Sequence, residues 1–313
     1  MHQILIAGPV AGRPFLERLA QSINEVSASI DCSYGLTTPD EYPDWRKMTI
    51  FVSYGLPCSA ADMDAAPGLK AIITPSLGYE GIDIDAARER GIAFANGRVE
   101  ENYQSVAEAA ILYMLTSLYR LREAEDRLRR GELRTGPPEA RMLKGRTIGI
   151  IGYGNIAKAV IERLQGWETR IFVSNRSAIA HPAVTQTGID ALLAESDIIL
   201  PLLPLTPETE GLLSRERLLA AKAGAILINL SRGAIIEESA LTDPEVIAHL
   251  GTIALDVFTN EPLAADSPLR DLPDHILTNH EISHTQENLG ALFALAVANI
   301  QAAIEGRALP SAI

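Results

Sequence analysis

The residues best suited to chemistry lie in the second half of the chain. Gly152-Tyr153-Gly154-Asn155-Ile156-Ala157 follows the apolar run Thr147–Ile151 and precedes a helical pattern. In that setting each small residue has its own use. Gly152 permits a tight turn, Gly154 lets backbone approach a pyrophosphate, and Ala157 lets the helix pack closely on the strand. The helix N-terminus adds free N–H groups and the positive end of its dipole. The pattern therefore predicts a dinucleotide site. One strand later, where an NAD-binding fold usually sets an Asp or Glu on the ribose hydroxyls, the chain reads Val173-Ser174-Asn175-Arg176-Ser177. Without that carboxylate a 2′-phosphate meets no repulsion, and Arg176 with Ser174 or Ser177 can bind it. NADP(H) is expected in preference to NAD(H), with NAD(H) possible.

Three further polar residues follow apolar runs: Arg232 after Ala225–Leu230, Glu261 after Thr252–Val257, and His280 after His275–Thr278. Singly each is ordinary, since an arginine at a strand end is commonly a surface ion pair and a lone histidine commonly structural. Ligands of open α/β sheets bind outside the carboxyl ends of the strands, so the three can converge on one crevice beside a nicotinamide.

The elements that must position them alternate along the chain. Runs Ile4–Ala7, Thr49–Ser53, Ala71–Thr74 and Ile92–Ala95 read as strands, with a helix near Asp83–Arg90. The three-to-four spacing of Val106, Ala109, Ala110, Tyr113, Met114, Ser117, Leu118 and Leu121 predicts one long helix from Asn102 to about Gly131. After the breaker Thr135-Gly136-Pro137-Pro138, strands are expected at Thr147–Ile151, Arg170–Ser174, Asp197–Leu200, Ala225–Leu230, Thr252–Val257 and His275–Thr278, with helices from Asn155 and Ser214. Alternating strands and helices imply right-handed crossovers and doubly wound parallel sheets. A last apolar helix, Asn288–Glu305, is too isolated to stand alone and is expected to return to the first domain.

Composition narrows the function classes. The 313 residues suggest two domains, and 47% hydrophobic with 21% charged residues suits a folded soluble protein. A net charge of −13 argues against nucleic acid or an anionic membrane as partner. The one Arg-rich stretch, Arg120–Arg134, is interleaved with Glu123, Glu125, Asp126 and Glu132 and reads as a solvated face. Cys32 and Cys58 lack metal-ligand spacing and fit a reducing cytoplasm. The greasy stretch Ala291–Ile304 falls short of the roughly 20 residues of a membrane span. A cytoplasmic protein without a metal is expected.

Taken together, Leu143–Ala157, the loop Pro204-Leu205-Thr206-Pro207-Glu208-Thr209, Asn229–Leu241, Asp256–Pro262 and Leu277–Thr285 resemble the D-isomer-specific 2-hydroxyacid dehydrogenase family, as does Gly78-Tyr79-Glu80-Gly81-Ile82-Asp83 through Asn96. The resemblance implies an α/β chain with two domains: a Rossmann-type cofactor domain over 99–283, and a discontinuous, flavodoxin-like substrate domain formed by 1–98 and 284–313. It implies reduction of a small 2-oxo acid such as glyoxylate or hydroxypyruvate. His280 would be the acid, Glu261 its partner, and Arg232 the clamp on the carboxylate and carbonyl. Asn155 and Ile156 would meet the pyrophosphate, Leu203, Pro204 and Thr209 the adenosine side, and Leu230 and Asp256 the nicotinamide carboxamide. Leu77 and Gly78 would offer backbone N–H groups to the substrate carboxylate, and the loop containing Tyr54 would shape the side-chain pocket. A two-fold homodimer and closure of a cleft between the domains are also implied.

The departures concern the acid's surroundings. Asn279 stands where the family usually has proline, Ile282 adds bulk two positions after His280, Glu281 and His284 flank it, and Ser76 replaces a common glycine. A cofactor-sensing protein of the same fold with little turnover is the alternative from another class, opposed by the presence of Arg232, Glu261 and His280 together. A phosphoglycerate dehydrogenase is the alternative within the class, opposed by the missing appended domain and the expected NADP(H).

Overall fold

The computed structural model describes residues 2–23, 28–133, 135–272 and 275–313. The chain divides into two compact units, residues 1–102 with 285–313, and residues 103–284. In chain order the elements begin with β1 (His2–Gly8), α1 (Arg13–Ile23), β2 (Ala28–Tyr34), β3 (Ile50–Ser53), α2 (Ala60–Ala65), β4 (Ala71–Ile73), α3 (Ile84–Glu89) and β5 (Ala93–Ala95). Then come α4 (Glu100–Tyr119), α5 (Leu121–Arg129), β6 (Thr147–Ile151), α6 (Asn155–Arg163), β7 (Arg170–Ser174), β8 (Thr185–Gln186), α7 (Ile189–Glu195) and β9 (Ile198–Pro201). The last are α8 (Arg215–Ala220), β10 (Ile226–Asn229), α9 (Pro244–His249), β11 (Ile253–Leu255), β12 (Ile276–Leu277) and α10 (Gln286–Ile304).

The first unit holds a parallel five-stranded sheet in the order β2-β1-β3-β4-β5, which is the flavodoxin-like order. Its order reverses between β1 and β3. Beneath it α1 and α10 pack through Phe15 and Phe293, whose rings meet edge to face at 5.9 Å. The helix α10 is 19 residues long and apolar enough to cross a membrane by length and composition. That corrects the shorter stretch read from the sequence, because Thr285 caps the helix through Asn288 N–H and starts it earlier. Leu292, Ala296, Ile300 and Ala302 are buried in the unit's interior, the burial that makes a core helix apolar.

The second unit holds seven parallel strands in the order β12-β11-β10-β9-β6-β7-β8. This is the Rossmann order with one strand added beyond the last, and its reversal lies between β6 and β9. Strands β6, β9, β10 and β11 are buried at every residue, as parallel strands covered on both faces must be, and hence read as unbroken apolar runs. One core cluster joins this sheet to α4 and α6, and a second joins its other face to α7, α8 and α9.

The expected single helix from Asn102 to Gly131 is two. Arg120 takes the left-handed region at φ +47°, ending α4 and restarting the chain as α5. Such a conformation costs an L-residue about 1–2 kcal/mol; here the side chain is held by ion pairs to Glu123 and Glu139. Along α5 and just past its end the charges pair among themselves, Arg129 with Glu125 and Arg130 with Glu132. Arg134, the end of that basic stretch, lies outside the described residues.

Candidate active site

Where β6 ends, Gly152 turns the chain at φ +104° and donates its N–H to the Ser174 carbonyl at 2.8 Å. A methyl here would lie 2.4 Å from the carbonyl oxygen of Leu202 and 2.8 Å from the Leu203 side chain, so only glycine fits. Gly154 differs. It precedes α6 in an extended conformation, no side chain caps the helix, and a methyl on it would meet nothing within 4 Å. The open space therefore lies directly over the free end of a helix of nine residues. Ala157 is wholly buried, Ile156 packs on the same core cluster, and Asn155 is exposed beside the opening. These residues fit a dinucleotide's pyrophosphate, which needs close backbone and outward N–H groups.

At the end of β7, Ser174 and Asn175 are half-buried while Arg176 and Ser177 are exposed. Gln186 fixes this turn by donating to the carbonyls of Asn175 and Ser177, and Asn175 Nδ2 donates to the Ser177 carbonyl at 3.1 Å. The adenosine-side loop is tied separately. Thr209 Oγ1 accepts from Thr206 N–H and donates to the Pro204 carbonyl, both at 2.8 Å. Within it the Glu208 carboxyl is held below its usual range, mainly by a hydrogen bond from Thr206 and in smaller part by the charge of Arg176. Arg176 thus faces this loop, with Leu203 beside Gly152 at its base.

Arg232, Glu261 and His280 come together beyond β10, β11 and β12. Glu261 Oε2 lies 2.6 Å from His280 Nδ1, and its other oxygen accepts from Phe258 N–H at 2.9 Å. An ionised carboxylate only accepts, so Nδ1 carries the proton of that contact and Nε2 is left as the exchanging nitrogen. The hydrogen bond to Glu261 raises the His280 pKa; burial and the Arg232 charge oppose it, and Asp256 assists. Glu261 moves the opposite way: burial opposes its ionisation, but the hydrogen bonds from His280 and Phe258, with the Arg232 charge, hold its carboxyl below the ordinary value.

Arg232 is half-buried, and its Nη1 donates to the Ser231 carbonyl at 2.6 Å. The next residue locks the loop in place. A methyl on Gly233 would fall 1.9 Å from the Phe258 carbonyl carbon and 2.3 Å from Thr259 N, so the Arg232 turn rests directly on the backbone leading to Glu261. Leu230 is buried beside it.

His280 itself has φ +53°, unusual for a residue with a side chain. Asp256 holds it there. The Asp256 carbonyl accepts His280 N–H at 2.7 Å, and its Oδ1 accepts Glu281 N–H at 3.0 Å and the Thr278 hydroxyl at 2.5 Å. Burial pushes the Asp256 carboxyl upward, partly offset by these donors. Tyr113, on α4, reaches Thr278 Oγ1 at 2.5 Å. Sequence reasoning puts Tyr113 in an apolar stripe and does not see this contact, because a tyrosine at helical spacing looks like core. Gly233 and Thr278 are likewise missed, although a glycine directly after Arg232 is a readable sign of close packing.

The flanking departures have plain structural fates. Glu281 and His284 are exposed. Ile282 packs against the core cluster that contains α4, so the bulk expected near the substrate is absorbed by the unit's interior.

In the first unit, Ser76 Oγ donates to the Gly78 carbonyl at 2.9 Å and Asn96 Nδ2 donates to the Leu77 carbonyl at 2.8 Å. The Ser76 hydroxyl therefore braces its own turn. Among the described residues, no acceptor takes the N–H groups of Leu77 or Gly78. Tyr54 follows β3 and stacks on Phe15 at 5.7 Å, its ring against Gly12.

Residues 111–281 match the family described as D-isomer specific 2-hydroxyacid dehydrogenase, NAD binding domain. The chain is 34% identical over 296 residues to glyoxylate/hydroxypyruvate reductase B of Pectobacterium carotovorum, covering 90% of this chain and 92% of that protein. Among solved structures it is similar to the TT0316 protein of Thermus thermophilus, with TM-score 0.85, 30% identity and full coverage of both chains. It is also similar to a glyoxylate reductase of Paecilomyes thermophila, with TM-score 0.84, 25% identity, and 100% and 98% coverage.

Proposed function

The chain belongs to the D-isomer-specific 2-hydroxyacid dehydrogenase family, and from that premise we propose that it reduces a small 2-oxo acid, of the glyoxylate or hydroxypyruvate kind, with NADP(H) in preference to NAD(H). The observation that carries the reading is the His280–Glu261 pair at 2.6 Å with Arg232 close enough to bear on both charges. A nicotinamide cofactor, when bound, supplies the hydride. The chain's own residues supply the rest. Arg232 binds the substrate carboxylate and polarises the carbonyl, a planar two-pronged grip suited to a guanidinium. His280, charged by virtue of Glu261, gives the proton held on Nε2 to the carbonyl oxygen. Leu230 and Asp256 flank the nicotinamide's place, while Gly152, Gly154, Asn155 and Ile156 take the pyrophosphate. Leu203, Pro204 and Thr209 line the adenosine.

The preference for NADP(H) rests on the turn after β7, where Ser174, Asn175, Arg176 and Ser177 present a cation and no carboxylate. Leu77 and Gly78, whose N–H groups meet no acceptor among the described residues, are the first unit's proposed anion donors, and half-exposed Tyr54 is proposed to meet the substrate's side chain. A two-fold homodimer is proposed through Tyr119, Leu121, Leu128 and Leu133, which are all exposed apolar residues at and after the α4–α5 break. Sedimentation velocity is expected to give a mass of two chains, and a single-chain mass at micromolar concentration overturns that part.

The deciding experiment is a panel of 2-oxo acids assayed with NADPH and NADH on the wild type and on His280→Ala. Reduction is expected with NADPH favoured in kcat/KM, and kcat falling by about 100-fold or more in the variant with cofactor affinity kept. Reduction needs the imidazolium. Because Glu261 raises the His280 pKa, the rate should hold through the ordinary imidazole value of about 6.5 and decline only above it. Tight cofactor binding without turnover of any acid overturns the enzyme reading in favour of a sensor, and a better kcat/KM with NADH overturns the cofactor preference.

A further inference from the structure

The contact between Tyr113 and Thr278 has no part in the chemistry proposed above, yet it ends one bond away from the residue that shapes the His280 loop. Thr278 has a single hydroxyl proton, and the acceptor-only carboxylate of Asp256 takes it at 2.5 Å. The Tyr113 hydroxyl, also 2.5 Å from Thr278 Oγ1, must then be the donor in its own contact. The protons run one way along this chain: Tyr113 to Thr278 to Asp256.

Both ends of the chain are enclosed, Tyr113 at 3% exposed and Asp256 at 2%. Burial drives the Tyr113 hydroxyl up to about 12, so it stays a donor throughout the working range. A donor feeding a second hydroxyl polarises it, and in a dry setting the strengthening is felt at the end of the chain. That end is Asp256, which grips the backbone on both sides of a histidine held at φ +53°. Left-handed residues with side chains persist only where their surroundings over-determine them.

We propose that Tyr113 is a positioning residue for His280, acting through Thr278 and Asp256 to fix the loop that carries the imidazole. The proposal builds on His280 as the proton donor but concerns how the ring is held and charged. The charged groups facing His280 are Glu261 and Asp256, which favour its imidazolium, and Arg232, which disfavours it. Those facing Tyr113 are Asp256 and Arg122. Without the Tyr113 donor, Thr278 becomes a poorer donor to Asp256, the Asp256 carboxyl is easier to protonate, and His280 loses part of its anionic support.

The test is Tyr113→Phe, which removes one oxygen from a buried ring and keeps its shape. The His280 imidazole is titrated by NMR in the full chain, its resonance assigned by its disappearance in His280→Gln. The titration is expected to move to lower pH. The decline of 2-oxo acid reduction with rising pH is expected to move with it, and kcat to fall about three- to tenfold, the rate equivalent of one neutral hydrogen bond. The KM for the acid, set by Arg232, should hold. Thr278→Val should reproduce the shift and Thr278→Ser, which keeps the donor, should rescue it; this pair answers the question if Tyr113→Phe does not fold. An unmoved His280 titration in Tyr113→Phe and Thr278→Val overturns the proposal, even if both melt earlier, since a merely structural role lowers Tm alone. Failure of the acid assignment reads differently: His280→Gln would then keep full activity whatever the titration of His280 shows.

Discussion

Each unit of this protein has a sheet whose strand order reverses once, and at each reversal a strand runs into a glycine-containing turn and then a helix. The outcomes are opposite. In the first unit β1 passes through Gly8-Pro9-Val10-Ala11-Gly12 into α1, and the neighbouring strand β3 delivers Tyr54 onto that turn. A methyl on Gly12 would lie 2.9 Å from Tyr54 Cδ1, and one on Gly8 3.0 Å from Tyr54 Cβ. In the second unit β6 passes through Gly152-Tyr153-Gly154 into α6, and a methyl on Gly154 would meet no protein atom within 4 Å. The first turn needs glycine to admit a side chain of its own; the second needs it to admit something else. Glycine after a strand therefore signals close approach, and only the neighbouring strand says by what.

Three substitutions can break or sharpen that contrast. Gly152→Ala should have the largest effect. It forces a side chain to φ +104° and against the Leu202 carbonyl, with about 1–3 kcal/mol of backbone strain before any clash. Cofactor affinity by fluorescence titration should be lost outright, together with a lower Tm. Gly154→Ala comes next. Its conformation suits alanine, so Tm should stay unchanged, while the methyl occupies the pyrophosphate's place and weakens cofactor binding by about tenfold or more, on the order of a lost charge-assisted hydrogen bond. An unchanged affinity would show that the open end of α6 is not where the cofactor sits. Gly12→Ala should act least on cofactor binding: it displaces the Tyr54 ring, lowers Tm by a few degrees for an overpacking cost of about 1–3 kcal/mol, and leaves cofactor affinity as it was, so that any loss falls on the KM for the 2-oxo acid.

The same contrast marks what is legible in the sequence. The strand Thr147–Ile151 and the start of α6 coincide with the structure, because a buried parallel strand is an unbroken apolar run and the glycines mark its end; Arg170–Ser174 coincides as well, through its buried Ile171 and Val173. The strand β2 escapes such a reading. It lies at the sheet edge, and Ser29, Asp31 and Ser33 interrupt its apolar pattern. Short helices such as α2 and α7, of six and seven residues, carry too few turns for a period to show. The break at Arg120 has no glycine to announce it, and neither has the left-handed His280. The left-handed Arg120 is accompanied by an ion pair to distant Glu139, and the left-handed His280 by the grip of Asp256, contacts that no local pattern shows. Arg232, Glu261 and His280 are legible as residue types at strand ends, and what stays hidden is the packing that sets their spacing.

That spacing bears on how such a protein can change. With Gly233 seated on the Phe258–Thr259 backbone, the loop bearing Arg232 and the loop bearing Glu261 are a single cast part, and neither can be lengthened or re-aimed without the other. Directed evolution toward a longer or bulkier substrate should therefore leave this pair of loops untouched in its successful lineages and collect its changes elsewhere.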